Sequence, residues 1–288
     1  MAVLRIGTCS WKYESWAGLL YSAPKGINYL AEYARQFDTV EVDQWFWSLF
    51  PGNRVVLPDP RVVEEYVASV GPEFRFTVKA PNSLTLTHCY NKDKGAPLTP
   101  NPRFLSPALL ADLLGRLSPM RAHLGALMLQ FEYLNRQKMP SRREFAKRLD
   151  SFAAAIPGAV PVFVEVRNRN YFDGAFLDLL GRRGFGFVVL EGYYMPPVVD
   201  VFAAHREFFL SQKTVVIRLC GPDRGGMEEK TGKQWDRVVK SRRDDLKKIT
   251  AVVTDLLARG VDVYLNVNNH YEGSAPLTIR TIRELLGA

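Results

Sequence analysis

The chain has 288 residues, 47% of them hydrophobic and 24% charged, the proportions of an ordinary globular protein and not of a disordered or fibrous one. No run of about 18 apolar residues exists, which excludes a helical membrane span. Cys9, Cys89 and Cys220 lie far apart with no CxxC, which argues against a disulfide framework or a thiolate zinc site. The net charge of +8 and pI near 9.4 favour anionic partners such as phosphorylated metabolites or nucleic acid. Met1-Ala2-Val3-Leu4-Arg5 leads straight into a strand without a signal-peptide core, and a cytoplasmic protein is expected.

The elements follow in chain order. Strand one covers Arg5 to Cys9 and is followed by an aromatic loop, Ser10 to Trp16. Helix one lies near Asn28 to Phe37, with Tyr29, Leu30, Tyr33, Ala34 and Phe37 at helical spacing. Strand two, Thr39 to Asp43, sets Val40 and Val42 against Glu41 and Asp43, and helix two opens at Pro60 and stops at Gly71-Pro72. Strand three alternates Phe74, Phe76 and Val78 with Arg75, Thr77 and Lys79. A long loop, Pro81 to Ser106, then suggests a lid or binding segment.

Helix three is expected over Pro107 to Leu117, strand four over Gly125 to Phe131 with Gln130 near its end, and helix four over Ser141 to Ile156. Strand five, Val160 to Asn168, has a valine face (Val162, Val164, Val166) and an opposite face that turns charged at Glu165 and Arg167. Helix five runs from Gly174 to Arg183, and strand six from Gly186 to Glu191. A weaker helical pattern covers Val198 to Phe209. Strand seven, Thr214 to Cys220, carries Arg218. A long helix is expected over Asp236 to Arg259, strand eight over Val261 to Val267, and a last helix after Ser274.

Strand then helix, eight times, is the pattern of a (β/α)8 TIM barrel. We expect a single α/β domain over 1–288, with extended βα loops after strands three and seven. A doubly wound open sheet would not require polar ends on strands two, three, five, seven and eight alike.

Barrel sites lie at the C-terminal ends of strands. The pattern gathers Glu41, Asp43, Lys79, Gln130, Glu165, Arg167, Glu191, Arg218 and Asn268 there, as a ligand site or as a self-satisfied network pairing Glu41 with Lys79 and Glu165 with Arg167 or Arg218. Trp11, Tyr13, Trp16, Trp45, Phe46, Trp47, Tyr193 and Tyr194 fall on the same rim, where aromatic faces suit a sugar or base. Gly221-Pro222-Asp223-Arg224-Gly225-Gly226 and the helix start at Ser274 suggest an anion corner beside Arg218.

Other signatures are missing. The segment Gly184-Phe185-Gly186 precedes a strand and is no dinucleotide fingerprint. Gln130 and Arg218 stand where many barrel glycosidases hold their acid and nucleophile. His88 and His270 can each meet a carboxylate, but four histidines without ligand spacing point to no metal. Lys79 reads as a salt-bridged lysine before a Schiff-base nucleophile.

Four stretches together resemble the YecE-like barrels, a domain-of-unknown-function family, over almost the whole chain. They are Ile6-Gly7-Thr8-Cys9-Ser10-Trp11-Lys12-Tyr13, Val40 to Asp43, Phe76 to Ala80 with His88, and Asn268-Asn269-His270 through Gly273 to Pro276. The resemblance implies a TIM-type barrel. It marks Glu41, Lys79, Gln130, Glu165, Arg167, Arg218, Asn268 and Asn269 as matching motif positions, and it implies no particular activity. The chain departs from the family pattern at Asp43, at Arg167-Asn168 in place of Arg-His, and at Arg218-Leu219-Cys220-Gly221 in place of Arg-x-His-Gly. An acid/base role for those two histidines is therefore absent here.

The expectation is an enzyme, a hydrolase or a lyase/isomerase, using carboxylate acid/base chemistry on a small phosphorylated, polyhydroxylated or nucleotide-like ligand, without cofactor or metal. Glu41, Lys79, Glu165 and Arg167 are the catalytic candidates. Trp11, Tyr13, Asp43, His88, Gln130, Glu191, Arg218, Asn268, Asn269, His270 and Ser274 are the substrate-binding ones. The rivals are a non-catalytic nucleic-acid binder and a metal-dependent isomerase or endonuclease-like barrel. The basic residues Arg142, Arg143, Arg242, Arg243, Lys247 and Lys248 fall on outer helices, so nucleic-acid binding is expected to be weak.

Overall fold

A computed structural model describes residues 2–90, 95, 97–156 and 158–287. Its strands are β1 (Leu4–Thr8), β2 (Thr39–Val42), β3 (Arg75–Lys79), β4 (Leu124–Gln130), β5 (Val162–Glu165), β6 (Gly186–Gly192), β7 (Thr214–Gly221) and β8 (Asp262–Val267). They form one eight-stranded sheet in the order β1-β8-β7-β6-β5-β4-β3-β2, and a bridge between Cys9 and Glu41 joins the two end strands of that order. Helices alternate with the strands: α1 (Tyr29–Tyr33), α2 (Pro60–Ala68), α3 (Pro107–Arg116), α4 (Arg142–Ala154), α5 (Gly174–Arg182), α6 (Val198–Ala204), α7 (Arg206–Ser211), α8 (Arg224–Thr231), α9 (Arg243–Ala258) and α10 (Ala275–Leu286). The fold class is (β/α)8.

By its internal contacts the chain divides into two compact units. One comprises Met1–Glu41, Ser69–Phe76 and Val188–Ala288; the other comprises Val42–Ala68 and Thr77–Phe187. Three of the four divisions fall inside β2, β3 and β6, and the fourth follows the last residue of α2, Ala68.

In the first unit, the Tyr33 hydroxyl explains the glycine of β1. It accepts from Thr8 N at 2.8 Å and donates to Thr39 O at 3.0 Å, drawing β1 onto β2. A Cβ on Gly7 would lie 2.0 Å from Thr39 O. A second close approach joins β6 to β7: Gly192 has φ +126° and Gly221 has φ +76°, and a Cβ on Gly192 would lie 2.2 Å from Gly221 O. In the long helix α9, Leu246, Ile249, Val253 and Leu256 are buried at helical spacing, the stripe that the sequence displays.

In the second unit, α4 starts where Ser141 accepts from Glu144 N at 3.1 Å, and it buries Phe145, Leu149, Phe152 and Ala153. Asn82 organises the connection after β2. Its Oδ1 accepts from Ser48 N at 3.0 Å and Leu49 N at 3.1 Å, setting up a short antiparallel hairpin, Leu49–Phe50 with Arg54–Val55. The loop after β3 holds a one-turn helix, Asn82–Thr85, and an arm in which Cys89 N donates to Thr99 O at 2.8 Å. Residues 91–94 and 96 of the expected loop lie outside the described residues.

Several elements differ from the sequence expectation, each for a local reason. Helix α9 starts at Arg243, not Asp236, because Val239 N and Lys240 N donate to Glu272 O and Arg242 N donates to Glu272 Oε1. The pattern over Val198 to Phe209 is two helices, broken at His205, where φ is −131°. Helix α1 has only five residues. Strand β5 ends at Glu165, leaving Arg167 and Asn168 beyond it.

These contacts give a paired prediction. Gly7→Ala should destabilise the protein by about 1–3 kcal/mol or more, because backbone and not a flexible side chain must move. Gly115→Ala, in exposed helical space with nothing near the added Cβ, should stabilise it by about 0.5–1 kcal/mol. Urea unfolding of the two variants checks both signs.

Candidate functional site

In the first unit, Glu41 sits at the end of β2 with no exposure, and Arg218 on β7 is 3% exposed. The guanidinium grips both carboxylate oxygens, Nε to Oε2 at 2.7 Å and Nη2 to Oε1 at 2.6 Å. Asn266 Nδ2 and the Cys9 thiol also donate to Oε2, at 3.3 and 3.4 Å. Burial, then the neighbouring Cys220 thiol and the charge of Glu41, push the Cys9 thiol well above its ordinary range. Cys220 is thus a buried thiol beside another thiol. Glu41 and Arg218 are a core ion pair.

Groups of the chain itself take up part of the expected anion corner beside Arg218, where Ser274 Oγ and Asn269 Nδ2 are buried without hydrogen-bond partners. The glycine-rich run is the start of α8, where the Asp223 carboxylate caps the helix by accepting from Gly226 N at 2.9 Å. At α10, Ala275 N donates to Asn269 Oδ1 at 2.8 Å, and Ser274 is fully buried. A protein carboxylate and a side-chain amide oxygen thus each accept from one backbone N–H of this corner.

The loop after β8 carries a second cluster. Asn268 Oδ1 accepts from His270 N at 3.0 Å and also contacts the ring Nδ1. The His270 Nε2 lies 3.1 Å from Glu228 Oε1 on α8, and Arg224 Nε lies 2.7 Å from the same oxygen. Trp235 packs edge-on against the His270 ring at 4.9 Å. Burial lowers the His270 pKa below the ordinary histidine value, with Glu228 partly offsetting it. Glu191 caps α6 through Val198 N at 2.7 Å, and burial raises its pKa.

The second unit brings together the ends of β3, β4 and β5. Gln130 and Glu165 are register partners. Glu165 is fully buried, and Arg167, with 16% of its side chain exposed, places Nη2 2.6 Å from Glu165 Oε1. Asn168 clamps the next loop, accepting from Leu134 N at 2.8 Å and donating to Leu134 O at 2.9 Å. That loop places Glu132 on Lys138, and the second carboxylate oxygen, Oε1, is buried without a hydrogen-bond partner. His88, bonded through Nδ1 to Thr87 Oγ1 at 2.9 Å, feels the charges of both Glu132 and Lys138. Burial lowers its pKa more than Glu132 raises it. Lys79 Nζ lies 4.1 Å over the Phe46 ring, and Asp43 is half-buried.

The aromatic residues divide by burial. Trp11 and Trp16 are core, and Tyr13 packs on Trp16 with centroids 4.6 Å apart. Trp45 stacks on Tyr66. Trp47 and Tyr90 are 67% and 66% exposed and meet edge to face. Several outer basic residues are ion-paired, including Arg142 with Asp173 and Arg243 with Glu284. Among the described residues, no group of three or more His, Cys, Asp or Glu could hold a metal ion, and no helix is long and apolar enough to cross a membrane.

Sequence reasoning missed Glu132, Lys138, Glu228 and Arg224 as site members. The signal for Glu132 was its position two residues after Gln130, at the end of strand four.

The family model described as "Protein of unknown function DUF72" matches residues 5–288. A DUF72 family protein of Enterococcus faecalis is similar in structure at 17% identity and a TM-score of 0.68, over 99% of this chain and 96% of that one. A DUF72 family protein of Thermotoga maritima is similar at 19% identity and a TM-score of 0.66, over 99% and 100%. A xylose isomerase-like TIM barrel fused to 4-hydroxyphenylpyruvate dioxygenase shares the fold at 12% identity and a TM-score of 0.50, over 99% of this chain and 42% of that one. No curated protein matches.

The core pair has a measurable signature. Arg218→Ala leaves a buried carboxylate without its cation and should cost about 3–5 kcal/mol, whereas replacing both partners by Leu and Met should cost much less. Denaturant unfolding of the single and double variants separates the two.

The histidines set an acid-side limit. With folded-state pKa values below the unfolded value of about 6.5, His88 and His270 bind more protons in the unfolded state. Stability therefore rises with pH through that window and is lost as pH falls below about 6.5. His270→Gln should flatten this loss in a series of melting temperatures against pH; an unchanged slope would remove His270 from the account.

Proposed function

The chain belongs to the DUF72 family, whose description names no activity, and from the geometry we propose that it is an enzyme of acid/base chemistry acting on a small anionic ligand. The reaction class is hydrolysis or lyase/isomerase chemistry, and the ligand is phosphorylated, polyhydroxylated or nucleotide-like. The observation that carries this reading is the Glu132 Oε1 atom, buried without a partner and close enough to His88 to act on its charge. Native structures leave few buried polar atoms unpaired, and a carboxylate oxygen without a partner, within the electrostatic reach of an imidazole, is suited to receive a ligand proton.

Arg167 is the anion anchor. Glu165 acts through it: the enclosed carboxylate fixes the guanidinium plane, which otherwise has many rotamers. This assigns Glu165 a positioning role in place of the proton-carrying role expected from sequence. His88 and Glu132 move the proton, Gln130 and Lys79 orient the ligand, and Asn168 holds the Glu132 loop in place. No cofactor enters this scheme. The cytoplasm is the compartment we infer, supported by three free cysteines, two of them buried.

The exposed Trp47–Tyr90 pair favours a second reading, stacking on the bases of single-stranded nucleic acid.

The test is a thermal-shift and turnover screen of sugar phosphates, nucleotides and phosphorylated acids on the full chain. A hit should lose at least about tenfold in turnover in Glu132→Gln, which removes the proton acceptor. Arg167→Ala should raise KM for the same ligand. A hit whose turnover is unchanged in both variants overturns the assignment. Tight binding of an oligonucleotide that falls steeply with salt, with no small-molecule hit, selects the second reading.

A further inference from the structure

Helix α1 is too short for its place. Five residues at the α-helical rise span about 7.5 Å, whereas α9 has sixteen residues. Beyond Tyr33 no further turn of α1 lies over β1, and Ile6 and Phe37 there are each 6% exposed. A cleft of about 780 Å³ opens there, lined by Leu4 and Ile6 of β1, Ala34 and Phe37 after α1, Leu257 and Ala258 of α9, and Leu286 of α10. A smaller cavity of about 220 Å³ adjoins it, sharing Gln36, Phe37 and Arg283. The cleft lies at the N-terminal end of β1, apart from the loop that carries Asn268 and His270.

Its rim is cationic. Arg35 and Arg283 line the larger cleft, and Arg280 lines the adjoining cavity together with Glu284, which lies 3.5 Å from Arg243. The one acid on the larger cleft, Asp38, is held by Arg5 at 2.8 Å. Arg35 is exposed; its side chain forms no direct ion pair among the described residues, though its charge reaches Glu32 one turn earlier. Arg283 spans the rim, donating through Nη2 to Gln36 O at 3.0 Å and lying 5.2 Å from the Phe37 ring centre. The C-terminal turns of α9 and α10 add partial negative charge. That contribution falls off within a turn, and the arginines outweigh it.

We propose that this cleft is a binding site for a medium-chain fatty acid, with the alkyl chain on Ile6, Phe37 and Leu257 and the carboxylate on Arg35. The volume is within the range of small-molecule sites. Apolar floor and cationic rim together select an amphiphilic anion over a sugar, a neutral alcohol or a cation. The site is independent of the proposed enzyme activity.

Calorimetric titration of the full chain with octanoate, decanoate and dodecanoate, below micelle formation, tests it. One site is expected, with affinity rising about fourfold per added methylene. Arg35→Glu should weaken decanoate by about tenfold or more through loss of the charge-assisted contact. Ala258→Phe, an exposed position on the cleft wall, should obstruct the chain and abolish binding without loss of fold by circular dichroism. Glu132→Gln should leave decanoate affinity unchanged. The proposal fails if decanol or decylammonium binds as tightly as decanoate. It also fails if Arg35→Glu leaves affinity unaltered, or if no fatty acid of the series binds.

Discussion

The bidentate pair between Arg218 and Glu41 fixes the centre of the unit that contains it. It ties β2 to β7, while Asn266 brings β8 and Cys9 brings the end of β1 to the same carboxylate. Removing two charges from water is expensive, and an apolar pair of equal volume is often as stable. What the ion pair adds is direction. A fork of two parallel hydrogen bonds accepts a narrow range of positions, so each of the four strands must arrive in register. A slip of one residue would turn Arg218 outward and leave Glu41 alone in the core.

The same stringency is written into the backbone around the pair. Gly7 allows β1 to approach Thr39, and Gly192 and Gly221 allow β6 to approach β7 where a Cβ would collide with a carbonyl. These glycines serve the closeness of strands. A glycine-rich turn at the end of a barrel strand has the composition of an anion loop, but here the chain supplies its own anion, Asp223, to the helix that follows.

This explains how much of the molecule could be read from its sequence. Strand alternation and helical stripes are local, and they located the eight-fold repeat and each strand of the eight-stranded sheet to within a few residues, but not the short hairpin of Leu49–Phe50 with Arg54–Val55. The Glu165–Arg167 pair was legible because its members are two positions apart in the chain, at the end of β5 and just beyond it. The partner of Glu41 was not, because 177 residues separate it from Arg218 and the choice between Lys79 and Arg218 depends on geometry between strands. Helix α8 was missed for a different reason: its weak apolar pattern and paired glycines resemble a loop, and only the Asp223 cap reveals it. Glu132 and Glu228 gain their meaning from His88 and His270, which come from other parts of the chain.

Net charge was the least informative global quantity, and three arginines show why. Arg218 is enclosed with both oxygens of a carboxylate, so its charge is neutralised where the dielectric is low and acts on nothing outside the core. Arg167 is also paired, but part of its side chain reaches the surface, and the pairing aims it without wholly cancelling it. Arg35 is exposed beside an apolar cleft, and its field is screened by solvent until a ligand displaces that water. Each contributes one unit to the same total of +8. Their capacity to attract an anion differs with burial and pairing, because a ligand must offer more than the partner already in place. By that measure Arg218 is least able to serve a ligand, and the half-exposed or unpaired cations are where anion recognition in this chain is to be sought.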